Sequence, residues 1–191
     1  MLETLAHWFA AVCGQDPGHT WAPGGMLLPC CQRCTGLYAG AGMAALLHLW
    51  VRPKLSGRFL ETHGVFLVVM APFGFHWVAQ GPALRTLSGV LFGFAVVTFL
   101  WLPLSQRAGE QASRLVWGRH SVWFYFVILG AMLVLLPTTA MLGGAFAAYV
   151  LSGLAFWGAL ALVALGVGEV SLGLLGVLRL FRRLARPRLQ P

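Results

Sequence analysis

The sequence predicts an all-α integral membrane protein with about five transmembrane helices, its N-terminus outside and its C-terminus in the cytoplasm. Three observations predict this. Of the 191 residues, 59% are apolar and 9% are charged, where a soluble domain runs roughly 45–50% apolar and about 25% charged. Mean hydropathy is +0.79. Gly supplies 24 residues, a composition suited to the close helix contacts of bilayer proteins. Finally, 13 basic residues face 5 acidic ones, and the basic ones are unevenly placed. This composition excludes a disordered chain, a coiled coil and an ordinary cytosolic domain. Strand-like alternation is nowhere sustained, and no repeat stands out.

The elements follow in order. Leu2 to Val12 is too short to span and carries Glu3 without a basic leading region, so it reads as an interfacial helix rather than a signal peptide. A Gly- and Pro-rich segment follows, with a turn signal at Asp16-Pro17-Gly18. A span needs about 20 mostly apolar residues. Five stretches qualify: Thr35–Val51, Thr62–Val78, Leu84–Leu104, Ser121 to about Leu136, and about Gly143 to Leu165. Pro103 and Pro137 are expected at span ends, and Pro72 inside the second span. Gly36-x3-Gly40 and Gly89-x3-Gly93 predict that the first and third spans pack together. The apolar run continues to Leu178, so a break is expected near Gly166 or Gly168, then an interfacial amphipathic helix and basic tail. The domain reading is a cap (1–34), a five-span unit (35–165) and the tail segment (166–191).

Arg52, Lys54 and Arg58, then Arg107, Arg114 and Arg119, then Arg179, Arg182, Arg183, Arg186 and Arg188 are eleven of the thirteen basic residues. With five spans, their segments share one side, and short basic loops mark the cytoplasm. Arg33 and Arg85 alone fall on the other. The expected location is a bacterial inner membrane. The expected partners are the lipid bilayer, anionic headgroups at the Arg-rich tail and other membrane proteins, with no nucleic acid.

The candidate site is a Cys/His cluster. All four Cys lie in the first 34 residues, spaced Cys13-x5-His19-x11-Cys31-x2-Cys34, with Cys30 beside Cys31. Three Cys and one His form a common zinc set, and thiolates favour soft metals. Cys13, His19, Cys31 and Cys34 are the candidate ligands and zinc the candidate ion. The same Cys-x2-Cys spacing serves thiol-disulfide chemistry, with Cys31 and Cys34 as the redox pair. An oxidising compartment also permits a disulfide-stapled cap. Chain neighbours rarely ligate one ion, so Cys30 reads as a buried apolar residue or a partner of Cys13.

The run Leu28-Pro29-Cys30-Cys31-Gln32-Arg33-Cys34-Thr35-Gly36-Leu37-Tyr38-Ala39-Gly40 resembles the signature of a family of small prokaryotic membrane proteins known as domain of unknown function twenty eighty-five. Cys13 and Gln15 resemble its upstream Cys-His-Gln element, with Gly14 in the place of His. Pro72, Gln80, Arg85, Ser88, Gly89 and Gly93 resemble a second element, where His76-Trp77 stands for the usual Asp-Gly. The resemblance implies a membrane fold and supplies no activity.

On this topology His76, Gln80 and Arg85 lie at the same face as the Cys cluster. They are candidates for binding a cofactor or substrate there, and His76 is a ligand in reserve. Tyr38 is a neighbour of the cluster. His48, His63 and His120 are expected to snorkel or contact loops at the inner interface. Glu169 is expected at that interface, beside the presumed break. No nucleotide-binding or hydrolase motif is present. Three functional classes stay open: a soft-metal centre, a membrane thiol-disulfide oxidoreductase, and an accessory subunit with a stapled cap. Whether the protein is an enzyme is left undecided.

Overall fold

The computed structural model describes residues 2–75, 77–107 and 120–184, with the backbone alone at 106–107, 120 and 179–184. Among them are six α-helices and no β-strand: α1 (Leu2–Phe9), α2 (Gln32–Trp50), α3 (Gly57–Gly74), α4 (Pro82–Arg107), α5 (His120–Leu142) and α6 (Ala145–Leu184). Single 3-10 turns at Pro17–His19 and Pro23–Gly25 shape the segment between α1 and α2.

Among the described residues, three helices are long and apolar enough to cross a membrane: α4 through Pro82–Ser105, α5 through Ser121–Leu142 and α6 through Ala145–Leu178. The first two expected spans correspond to α2 and α3, of 19 and 18 residues. Both carry more polar residues. α2 opens with Gln32 and Arg33, and α3 carries Arg58, Glu61 and His63 in its first half.

The helix ends depart from expectation at three places. Pro103 lies inside α4, which continues to Arg107, and Pro137 lies inside α5, which continues to Leu142. Each Pro removes one backbone bond, yet ending the helix there would strand several more polar groups in an apolar setting. For the same reason α6 runs 40 residues through Gly166 and Gly168 without the expected break. No turn residues flank those glycines, and an isolated Gly costs a helix only about 1 kcal/mol. The Arg face expected at 179–186 and the loop cations Arg107, Arg114 and Arg119 lie outside the described side chains.

α2 is the central helix, packed between α4 and α6. The α2–α4 contact is the one the two Gly-x3-Gly motifs predict. A methyl on Gly36 would overlap the Thr86 carbonyl, and one on Gly40 would sit 2.8 Å from the Val90 carbonyl oxygen. From the other side, Gly89 meets the Arg33 carbonyl and Gly93 the Leu37 carbonyl. The pairings climb together, so α2 and α4 run parallel. Gly158 of α6 lies just as close to the Tyr38 carbonyl, on the opposite flank of α2.

Far from the cap, the sequence reading of two histidines is corrected. His48 and His63 neither snorkel nor meet loops; both are fully buried. His48 Nε2 lies 3.0 Å from Thr98 Oγ1, and Thr98 Oγ1 lies 3.2 Å from the Tyr125 hydroxyl. That hydroxyl is 3.0 Å from His63 Nε2, while His63 Nδ1 is 2.8 Å from the Phe59 carbonyl. The chain of bonds joins α2, α4, α5 and α3. Trp101 stacks on His48 at 5.8 Å and Phe59 lies tilted against His63 at 4.3 Å between centroids, so rings seal the network. Buried polar groups are costly unless bonded, and here each polar side chain has a partner.

Candidate metal centre

At the opposite end, the segment before α2 is tied down residue by residue. Phe9 is buried against the Tyr38 ring, with centroids 5.1 Å apart. The Cys13 N–H donates to the Phe9 carbonyl at 2.9 Å and sets Cys13 one turn past α1. Gln15 takes a left-handed backbone, φ 48°. Its amide donates to the carbonyls of Ala6 and Pro29, the latter at 2.9 Å. One side chain thus clamps α1 to the stretch that enters α2. Asp16 makes the expected turn, its carboxylate accepting the Gly18 N–H at 2.9 Å. Trp21 is buried, and its indole N–H donates to the Thr86 hydroxyl at 2.9 Å, which fixes the segment on α4. Thr20 and Cys31 form an isolated antiparallel bridge.

These constraints bring Cys13 to the start of α2. Cys31 is the N-cap of that helix, and Cys34 lies in its first turn. The sulfurs of Cys13, Cys31 and Cys34 all lie within 4.8 Å of one another. A tetrahedral zinc with Zn–S bonds near 2.3 Å places its sulfurs about 3.8 Å apart, so the trio needs to close by roughly 1 Å at most. The Cys31 N–H donates to the Cys13 sulfur at 3.2 Å. Hydrogen bonds from the Cys31 and Cys34 thiols, and that backbone N–H, hold the Cys13 thiol far below the usual thiol range. Such a sulfur is ready to be a thiolate, the form that binds metals and attacks disulfides. All four cysteines are free thiols. Cys30 stands apart: it is buried, its sulfur lies 3.4 Å from the Thr35 hydroxyl, and burial pushes its thiol up to about 12. Of the two roles open to it, the buried apolar one matches its place.

A cleft of about 270 Å³ opens beside the sulfurs, and its walls include Cys13, Cys31, Cys34, His19, Arg33 and Arg85. His19, expected as the fourth ligand, lines the cleft but is not within the sulfur group. Its Nδ1 instead lies 3.2 Å from the Asp16 carboxylate, at an exposed position. Arg85 reaches the cleft while donating to the Gln32 side chain at 3.2 Å. Gln80 stands one step back: its side-chain oxygen accepts from Arg33 at 2.8 Å and its amide donates to the Phe73 carbonyl at 2.7 Å. His76 lies outside the described residues. Arg33 is the residue the sequence reading passed over, although it sits between Cys31 and Cys34 and is one of only two cations expected at this end. It also donates to the Phe73 carbonyl at 2.8 Å, and its Nε is buried without a hydrogen-bond partner.

A helical bundle with helices fit for a bilayer and a thiol cluster at one end belongs to the class of multi-helix membrane proteins. Residues 13–99 match the model of a family described as a predicted membrane protein, DUF2085, the family that the Cys motif resembles. The matched stretch holds the sulfur trio, α2, α3 and most of α4, and stops before α5. No match was found among curated proteins or among solved structures.

Proposed function

We propose that this protein is a five-span membrane protein whose Cys13, Cys31 and Cys34 bind a soft metal ion, zinc first among candidates, on the extracytoplasmic side. The observation that carries the reading is the convergence of three sulfurs from two chain segments to within 4.8 Å. Parallel α2 and α4, joined by a returning α3, support alternating spans. Arg52, Lys54 and Arg58 then fall at the end away from the cluster, the basic side that marks the cytoplasm. On this reading residues 1–34 are an outward cap, and α6, about 60 Å long against a core near 30 Å, leaves the bilayer as a continuous helix. It ends in the Arg-rich tail, a site for anionic headgroups. A bacterial inner membrane suits this arrangement.

Elemental analysis and thiol counting on detergent-purified protein test the centre. About one metal per chain, with three thiols shielded from alkylation and both properties lost in Cys13→Ser, is the expected result. Metal-free protein with four reactive thiols overturns it. A second reading, a thiol-disulfide oxidoreductase using Cys31 and Cys34, is favoured by one observation: Cys13 lies close enough to exchange with either partner. That reading requires a disulfide that forms and opens as reductant is withdrawn and added. Orientation has its own test: a reporter active only outside the cytoplasm, fused after Pro191, is expected to be silent.

A further inference from the structure

Three protein sulfurs are one ligand short of a tetrahedral zinc site, and a site with three protein ligands and an open fourth position is the arrangement of reactive rather than structural zinc. The side chain closest to filling the gap by sequence, His19, stands outside the sulfur group, with its Nδ1 3.2 Å from the Asp16 carboxylate. What lies beside the sulfurs instead is a cleft of about 270 Å³, with two cations, Arg33 and Arg85, and one carboxylate, Asp16, which is paired with His19, in its wall. Among the described residues, the hydrogen bonds these guanidiniums make go to neutral acceptors: Arg33 to the Phe73 carbonyl and the Gln80 amide oxygen, Arg85 to the Gln32 amide oxygen. Arg33 also keeps its Nε buried without a partner, and a buried unsatisfied donor costs roughly 1–3 kcal/mol. Two cations on neutral acceptors beside an incomplete sulfur shell call for a ligand with two different ends, one soft and one anionic.

Resting on the metal reading, we propose that the cleft is a binding site for a small thiol that carries a carboxylate. The thiolate occupies the fourth position of the metal held by Cys13, Cys31 and Cys34. The carboxylate pairs with Arg33 and Arg85, whose planar donors suit carboxylates. Binding releases the thiol proton to solvent and involves no change of oxidation state. Gln80 is a positioning residue, since it holds Arg33 from the side away from the cleft.

The test uses the full-length protein in detergent, loaded with cobalt(II), whose visible absorption reports the number and type of its ligands. Mercaptoacetate and neutral 2-mercaptoethanol are titrated in parallel. The expected result is a new sulfur-to-cobalt band with both thiols, saturating at about tenfold lower concentration or less for mercaptoacetate, the gain of one charge-assisted contact. In Arg85→Gln, cobalt stays bound at the same stoichiometry and the preference between the two thiols shrinks to within about twofold. In Arg33→Lys, which keeps the charge and loses the fork, it falls part-way. Cobalt bound with no spectral change on either thiol means a closed site and overturns the inference while leaving the metal reading in place. Equal affinity for the two thiols in the wild type overturns it as well. Failure to bind cobalt removes the metal reading and the inference together.

Discussion

The two ends of the bundle treat polar side chains in opposite ways. At the end away from the cap, His48, Thr98, Tyr125 and His63 bond to one another and to the backbone, sealed under Trp101 and Phe59. Those bonds run from one helix to the next across α2, α4, α5 and α3. At the cap end, three sulfurs, two guanidiniums and an imidazole border an open cleft, and one Arg33 nitrogen is left unpaired. Both regions are rich in residues that chemistry favours. The first uses them to hold four helices in register; the second keeps them available. Chemical type alone does not distinguish a site from a scaffold; here the open cleft beside the sulfurs does.

Breaking what the two ends share gives the largest effect. Gly89→Leu drives a side chain into the Arg33 carbonyl of α2, so it is expected to abolish folded, monodisperse protein on size exclusion. The next substitution separates the ends. Cys31→Ser is expected to weaken metal binding by at least about a hundredfold in a competition titration, roughly 3 kcal/mol, while metal-free protein melts within a few degrees of the wild type. Tyr125→Phe is the converse. It leaves His63 Nε2 without its bond, costing about 1–3 kcal/mol, visible as a lower melting temperature with metal stoichiometry unchanged. The smallest effect belongs to Gln80→Ala, which frees Arg33 from one hydrogen bond at about 1 kcal/mol. Its expected signature is a weaker preference for a charged thiol at constant metal content. If Tyr125→Phe instead strips the metal, the contrast between the ends fails.

The sequence reading was strongest where a motif states its own geometry. Gly36, Gly40, Gly89 and Gly93 announced a close crossing because small residues at a four-residue period allow little else. The turn at Asp16 and the meeting of Cys31 with Cys34 are local in the same sense. The reading failed where position along a span had to stand for direction around it. His48 lies two residues before the end of α2, at a depth suited to snorkelling, yet it faces inward under Trp101. Arg33 was counted as a charge on a side rather than as a donor with partners, since its contacts come from residues 40 and 47 positions away. His19 shares the cleft with the sulfurs but stands outside their group, a separation that spacing does not reveal. Pro103 and Pro137 misled for another reason: a proline lowers the stability of a helix locally, and neighbouring helices decide whether it stops.

The clamp of Gln15 on Ala6 and Pro29, and the meeting of Cys13 with Cys31 across 18 residues, imply an order of events as the chain folds. The contacts that fasten this segment to α4, Trp21 with Thr86 and Gln32 with Thr86, span 65 and 54 residues, and closing the longer loops costs roughly 1 kcal/mol more. The loop that brings the sulfur trio together is therefore the shorter one to close, and it lies within the first two helices. On the metal reading, an ion held there would brace the start of α2, the helix that packs on α4.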